Sequence, residues 1–158
     1  MIEKKRIVFV FTHLKISNGV ARTVINLANC LNPEKYEITL VPLFSVEEKM
    51  LQLVNSSIKV QKVFGFYFRG FAKLLEIIPP SLLYKIIIRD DYDIEVSYQF
   101  GLPTKTLSYS TNKHARHICW MHGYDYKMKQ LKYYNKYDTV VCVSKDGSDR
   151  LSKIIKNT

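Results

Sequence analysis

Residues 6–31 constrain this chain more than any other stretch. Between Arg6 and Thr12 lie Ile7, Val8, Phe9, Val10 and Phe11, a continuous apolar run with little alternation. That pattern suits a strand buried on both faces of a parallel sheet. A polar, turn-prone loop follows at residues 13–19 and ends in Gly19. From residue 20 to 31 the spacing becomes helical, with Val20, Val24, Leu27, Ala28 and Leu31 on one stripe and Arg22 and Asn26 off it. Asn32 and Pro33 stop the helix, because the residue before a proline avoids the α region. Strand, glycine loop and helix open an α/β fold, and such sheets bind ligands beyond the carboxyl ends of their strands.

Gly19 stands where the helix begins. A missing Cβ lets a ligand approach the backbone closely, and the free N–H groups of a first helical turn favour an anion such as a diphosphate. A plain turn glycine is the competing explanation. The loop is not a dinucleotide fingerprint, which needs three glycines and an acidic residue after the second strand. Here the second strand ends in Val41, Pro42, Leu43 and Phe44. A P-loop ending is also absent, which argues against an ordinary dehydrogenase or NTPase.

The rest of the chain repeats the pattern. Strands are expected at residues 36–43, 58–63, 93–98, 117–122 and 139–143. Helices are expected at 47–54, 71–78 and 81–89, at Pro103 onward to about Ser110, and after Ser144, a fit N-cap. Leu51 and Val54 should point inward from the second helix, and Leu151, Ile154 and Ile155 should form the stripe of the last. On the fifth strand Ile118, Trp120 and His122 share one face, and Cys119 and Met121 the other. About six alternations of strand and helix predict a single domain over residues 1–158. Its fold class is α/β, a doubly wound, mostly parallel Rossmann-like sheet with helices on both faces.

Twenty-four basic against fourteen acidic residues leave a formal net charge of +10. Nucleic acid, an anionic membrane face or a phosphorylated small molecule would each complement it. Cys30, Cys119 and Cys142 are odd in number and lack C-x-x-C spacing. They are expected to be buried, reduced thiols of a cytosolic protein, with Cys119 facing Cys142 across neighbouring strands. The basic N-terminus is followed by too short an apolar run, and no small-residue cleavage site, for an export signal. No run reaches the ~20 apolar residues of a membrane span.

Several residues invite functional readings. His122 ends the fifth strand at the ligand-binding edge, two residues after Trp120 and next to Gly123. It suits contact with a sugar hydroxyl or with developing charge, or a structural hydrogen bond at a strand end. His13 ends the first strand and is a second candidate. His114 and His117 read as a solvated basic turn, since no carboxylate or cysteine joins them at ligand spacing. Lys127, Lys129, Lys132 and Lys136 interleave with Tyr124, Tyr126, Tyr133, Tyr134 and Tyr137. A solvated helix face, a phosphate contact and single-stranded nucleic acid binding all fit that mixture. Residues 64–89 are rich in aromatics and carry Arg69, Lys73, Lys85 and Arg89. They read either as two helices packed on the sheet or as an element facing an anionic membrane.

Taken together, four segments resemble glycosyltransferases of family 4 (group 1). Asn18, Gly19, Val20, Ala21 and Arg22, followed by residues 24–29, are similar to that family's first loop and helix. Residues 32–41 look like its second strand and approach. Ile118, Cys119, Trp120, Met121 and His122 resemble its Trp-x-His segment, and residues 137–144 its Val-Ser segment. The resemblance implies half of a GT-B enzyme, in which two Rossmann-like domains face each other across a cleft. The N-terminal domain binds the acceptor, and the C-terminal domain binds a nucleotide-sugar and carries two glutamates. Transfer in the family is retaining and metal-independent, so no cofactor and no metal ligands are expected. By the same resemblance His122 is the catalytic histidine beside the transferred sugar. Asn18, Gly19, Val20 and Arg22 would meet the donor diphosphate. His13, Tyr98, Trp120, Gly123 and Tyr124 would meet a saccharide or lipid-linked acceptor. Asn18 replaces a glycine common at its position, and the C-terminal nucleotide-sugar domain is expected to be absent from this chain. The expected location is cytoplasmic, open to peripheral attachment on the inner face of the cell membrane. The alternative is a non-catalytic Rossmann-like module that binds nucleotides or nucleic acid through a basic face, with nucleic acid the weaker partner.

Overall fold

The computed structural model describes residues 3–123 and 131–155. Strand β1 (Lys5–Phe11) is followed by α1 (Gly19–Cys30), β2 (Tyr36–Pro42), α2 (Glu48–Leu51) and β3 (Lys59–Val60). The chain continues through α3 (Phe71–Leu75), α4 (Pro80–Ile87), β4 (Ile94–Ser97), α5 (Leu102–Leu107) and β5 (Arg116–Met121). It ends with α6 (Leu131–Tyr134), β6 (Thr139–Cys142) and α7 (Lys145–Leu151). The six strands form one sheet in the order β3-β2-β1-β4-β5-β6. Every pairing is parallel, so the expected mostly parallel sheet is wholly parallel among the described residues.

That order places β1 at the centre. The chain winds outward through β2 and β3, then returns to lay β4, β5 and β6 on the other side. Right-handed crossovers in opposite directions put their helices on opposite faces of the sheet. Two apolar layers follow. One gathers Ile7, Phe9 and Phe11 with Ala21, Val24, Ile25 and Ala28 of α1 and Met50 of α2. The other gathers Val8 and Val10 with residues of α3 to α7, among them Phe71, Leu83, Ile87, Leu107 and Leu151. The central strand is thus apolar on both sides because both sides are covered.

Some expected boundaries shift, each for a local reason. The third strand, expected over residues 58–63, shrinks to Lys59–Val60 because it is an edge with one neighbour. Past Val60 only scattered backbone bonds remain, from the Gln61 N–H to the Leu40 carbonyl at 2.9 Å and from the Phe64 N–H to the Leu43 carbonyl at 3.0 Å, and the Gln61 side chain donates to the Ile87 carbonyl at 2.7 Å. The helix expected over 71–78 ends at Leu75 and tightens into three-residue turns up to Ile78, just before Pro79. Pro80 takes the first position of α4. In the last helix Leu151 and Ile155 are buried but Ile154 is exposed, because regular helix ends at Leu151. Ser144 does cap α7, accepting from the Gly147 N–H at 3.1 Å.

The cysteine expectation needs correction. Cys119 is buried, Cys142 is intermediate, and Cys30, on the outer side of the last turn of α1, is exposed. Register puts Val140 opposite Cys119 and Met121 opposite Cys142, so the two thiols do not face each other.

A second correction concerns His117, which is no solvated turn residue. β4 carries one wholly buried carboxylate, Glu95, directly opposite His117 on β5. The Tyr84 hydroxyl donates to Glu95 Oε1 at 2.8 Å, and His117 Nε2 faces Oε2 at 3.5 Å. Asp138 closes the other side, 3.7 Å from Nδ1, and accepts the His117 backbone N–H at 2.7 Å. The contact to Glu95, aided by Asp138 and opposed by burial, raises the His117 pKa above its ordinary value. Strand pairing brings these carboxylates to the histidine, which sequence spacing does not reveal.

Candidate functional site

All strands run the same way, so the loops after β1, β4 and β5 share one rim. Gly19 follows β1 and His122 follows β5, with only β4 between those strands. Two strand spacings amount to roughly 10 Å.

The entry to α1 is built by Asn18. Its side-chain oxygen accepts the Val20 N–H at 3.1 Å, and its amide nitrogen donates to the His13 carbonyl at 3.0 Å. Asn18 therefore caps the helix and ties it to the end of β1. The Ala21 N–H returns to the Asn18 carbonyl at 3.1 Å. Of the four groups expected to meet a diphosphate, Asn18 and Val20 already spend these polar groups on the cap. The Gly19 N–H has no partner among the described residues, and a Cβ added at Gly19 would meet nothing within 4 Å. Arg22 is exposed one turn further on.

Tyr98, at the end of β4, links this helix to β5. Its ring lies 4.6 Å from the His122 ring, 5.1 Å from Trp120 and edge-on to Phe9 at 5.7 Å. Burial raises the phenol's pKa, and a hydrogen bond with Thr23 of α1 opposes that rise. His122 sits on the α1 side of the sheet, where burial lowers its pKa and favours the neutral imidazole. Among the described residues His122 Nε2 and Trp120 Nε1 are buried without a hydrogen-bond partner, as is His13 Nδ1. Unpaired buried polar atoms are uncommon and call for an explanation such as water or ligand. Gly123 is exposed beside Phe100. Tyr124 lies outside the described residues.

The fold also has a topological switch point, between β1 and β4, where ligands of open α/β sheets collect. There Thr12 donates both its backbone N–H (3.2 Å) and its hydroxyl (2.7 Å) to Gln99 Oε1, joining loops 87 positions apart. Gly101, two residues later, adopts a φ of 99° that lets the chain swing into α5, a conformation other residues rarely take. Beside this clasp opens a cleft of about 310 Å³ lined by Thr12, His13, Lys15, Ser17, Asn18, Tyr67 and Gln99. The His13 ring is wedged edge-on to Tyr67 at 4.8 Å and against Phe44 at 5.2 Å. Burial, and secondarily Lys15, lowers its pKa. Sequence reading found His13 and Asn18 here but missed Thr12, Lys15, Ser17 and Gln99 as rim residues. The signal available for Gln99 was its place just past the carboxyl end of a buried strand.

Tyr67 also belongs to the aromatic segment at residues 64–71. Phe71 is buried, yet Phe66 and Phe68 stack on it and remain 57% and 53% exposed. Leu74, Ile77, Leu82 and Ile86 add exposed apolar surface from α3, α4 and the turn between them, Ile77 being 79% exposed. The packing expectation holds for one face of this segment, which lies on the sheet, while the other face is left open. Among the described residues no helix is long and apolar enough to cross a membrane. No group of three or more His, Cys, Asp or Glu gathers as a metal site among them.

The basic tyrosine stretch is partly accounted for. Tyr126, Lys127 and Lys129 lie outside the described residues. Tyr133, Tyr134 and Tyr137 are buried, and the Tyr137 hydroxyl donates to the Thr104 carbonyl at 2.7 Å. Lys136 lies 3.5 Å from the Tyr109 ring centre and Lys132 5.1 Å from that of Tyr133. The solvated-face expectation is corrected for these three tyrosines, which serve the core.

An open parallel sheet of order 3-2-1-4-5-6, with a polar cleft at its switch point, defines a Rossmann-like α/β ligand-binding domain of the kind that forms half of a GT-B fold. The sequence model of Glycosyltransferase Family 4 matches residues 17–156, and the chain belongs to that family as its N-terminal type of domain. It is accordingly a glycosyltransferase-type module. No curated protein matches the chain.

Proposed function

We propose that this chain is the acceptor-side domain of a retaining, metal-independent enzyme. That enzyme moves a sugar from a nucleotide-sugar to a polysaccharide or glycolipid acceptor. The observation that carries this reading is the shared rim of Gly19, His122 and the switch-point cleft, joined through Tyr98 and the clasp of Thr12 to Gln99. The unpaired Gly19 N–H at the positive end of a twelve-residue helix, with Arg22 nearby, suits the diphosphate of the donor. His122, kept neutral and braced by Tyr98, suits the transferred sugar, which it can hydrogen-bond through Nε2. The cleft beside His13 then takes the acceptor. The donor's nucleotide and the two glutamates belong to a second α/β domain facing this rim.

The open aromatic face adjoins the cleft through Tyr67, so an acceptor anchored in a membrane reaches the cleft without leaving the surface. Arg69, Lys73, Lys85 and Arg89 would meet anionic headgroups, and the enzyme would work from the cytoplasmic side.

A titration with UDP-glucose followed by amide NMR tests the donor reading. Shifts are expected at Gly19, Arg22 and Gly123, and none at the opposite rim near His114. Shifts confined to basic surface residues, reproduced by a single-stranded oligonucleotide and abolished by salt, would instead favour a nucleic-acid module.

A further inference from the structure

The switch-point cleft has a polarity that sugar transfer does not in itself demand. Thr12 offers Gln99 a backbone N–H, which can only donate, so the atom facing it is the carboxamide oxygen. The same oxygen takes the Thr12 hydroxyl. That fixes the flip of the amide: both N–H bonds of Gln99 are turned away from Thr12, and they have no partner among the described residues. Asn18, on the cleft's other side, has less to offer, since its oxygen is taken by Val20 and one of its two N–H bonds by His13. Among the described residues Lys15 is the one charged residue lining the cleft, and no carboxylate lines it. Glu47, on the loop that follows the second strand, accepts the Ile16 N–H at 3.0 Å. The space is at the small end for ligand pockets, with room for about one sugar ring and a substituent.

A single cation, two fixed donors and no anion complement a negative group. We propose that this cleft is the subsite for an acceptor sugar that carries an acidic group, a carboxylate or a phosphate. Lys15 takes the charge, Gln99 donates both N–H bonds, and Tyr67 offers its exposed ring. The inference rests on the acceptor-side reading above and adds the acceptor's chemical class.

The test titrates the 158-residue chain with D-glucuronate, D-glucose 1-phosphate, D-glucose and inorganic phosphate, with amide shifts in the cleft as readout. At least one sugar anion is expected to bind roughly tenfold or more tighter than glucose and tighter than phosphate alone. Which anion wins distinguishes a uronate from a sugar phosphate. Gln99→Glu keeps an acceptor for both Thr12 bonds but replaces the donors with charge, so sugar-anion binding should fall about tenfold or more while melting temperature holds. Lys15→Met, in a loop where its side chain makes no hydrogen bond or ion pair among the described residues, should erase the preference over glucose.

Equal binding of glucose, or phosphate binding as well as either sugar anion, overturns the inference. Unchanged binding by both variants does the same. If sugars leave the cleft unshifted while UDP-glucose still shifts Gly19, the anionic subsite is wrong and the transferase reading stands. If UDP-glucose also shifts nothing, both fail.

Discussion

At the scale of single residues, Gly19 separates folding from binding. Its backbone is helical and space around it is open, so Gly19→Ala should leave stability unchanged or raise it by up to about 1 kcal/mol. The new methyl group would stand where a diphosphate approaches the free N–H, so UDP-glucose affinity should fall. Thermal unfolding and the titration, run on one sample, check both halves. Asn18 gives the complementary case. Asn18→Ala removes the cap and should cost about 1 kcal/mol. Asn18→Asp keeps a good cap but sets a negative charge beside the proposed diphosphate, so it should hold its melting temperature and still lose donor affinity. Gly19 and Asn18 were legible in the sequence because capping and glycine chemistry are local. Their division of labour was not: only the coordinates reveal that Asn18 consumes the Val20 N–H and leaves Gly19 as the free donor.

At the scale of elements, α3 and α4 form the least predictable part of the chain. Apolar spacing identified them as helices, and Pro79 and Pro80 marked the break. What spacing could not decide was which aromatics would be covered. Phe71 goes inward because it meets Phe44 and Phe64, while Phe66 and Phe68 lie against it and stay about half exposed. The exposed apolar surface flanked by basic side chains should bind vesicles. Binding should rise with anionic lipid content and weaken as salt is added. Ile77→Ser and Phe68→Ser change mostly exposed side chains, so they should reduce vesicle binding and leave melting temperature nearly unchanged. Flotation with liposomes of varied anionic fraction measures this, and salt-insensitive binding would remove the electrostatic part of the idea. The edge strand β3 teaches a related lesson. Six residues alternate as a strand should, yet only two pair, because the second neighbour that would hold the rest is missing.

For the molecule as a whole, three half-buried histidines set opposing pH limits. His117, held by Glu95 and Asp138, has a folded pKa above the ordinary 6.5. Its contribution is fully present below that value and is lost as pH rises through the folded pKa. His13 and His122 have folded values below 6.5, mainly through burial. The unfolded chain binds their protons more readily, so stability declines as pH falls below 6.5. The expected outcome is a stability maximum near pH 6.5, measured as denaturation midpoints across about pH 5 to 9. His117→Gln should flatten the alkaline limb and leave the acid limb unchanged. His117→Ala, which leaves Glu95 buried with only Tyr84, should cost about 3 kcal/mol.

The amino-acid sequence by itself determined the kinds and order of the elements, the parallel class of the sheet, and the positions of His13, Gly19 and His122 near strand ends. Those follow from periodicity, capping and turn chemistry, which act over a few residues. Tertiary structure alone decided that β1 lies against β4, because the pairing of strands far apart in the chain depends on which faces become buried together. That one adjacency creates the switch point, the clasp of Thr12 to Gln99 and the cleft beside it. The adjacency of β4 and β5 likewise brings Glu95 to His117. No local pattern carries either pairing, since each joins residues whose only relation is that the folded sheet sets them side by side.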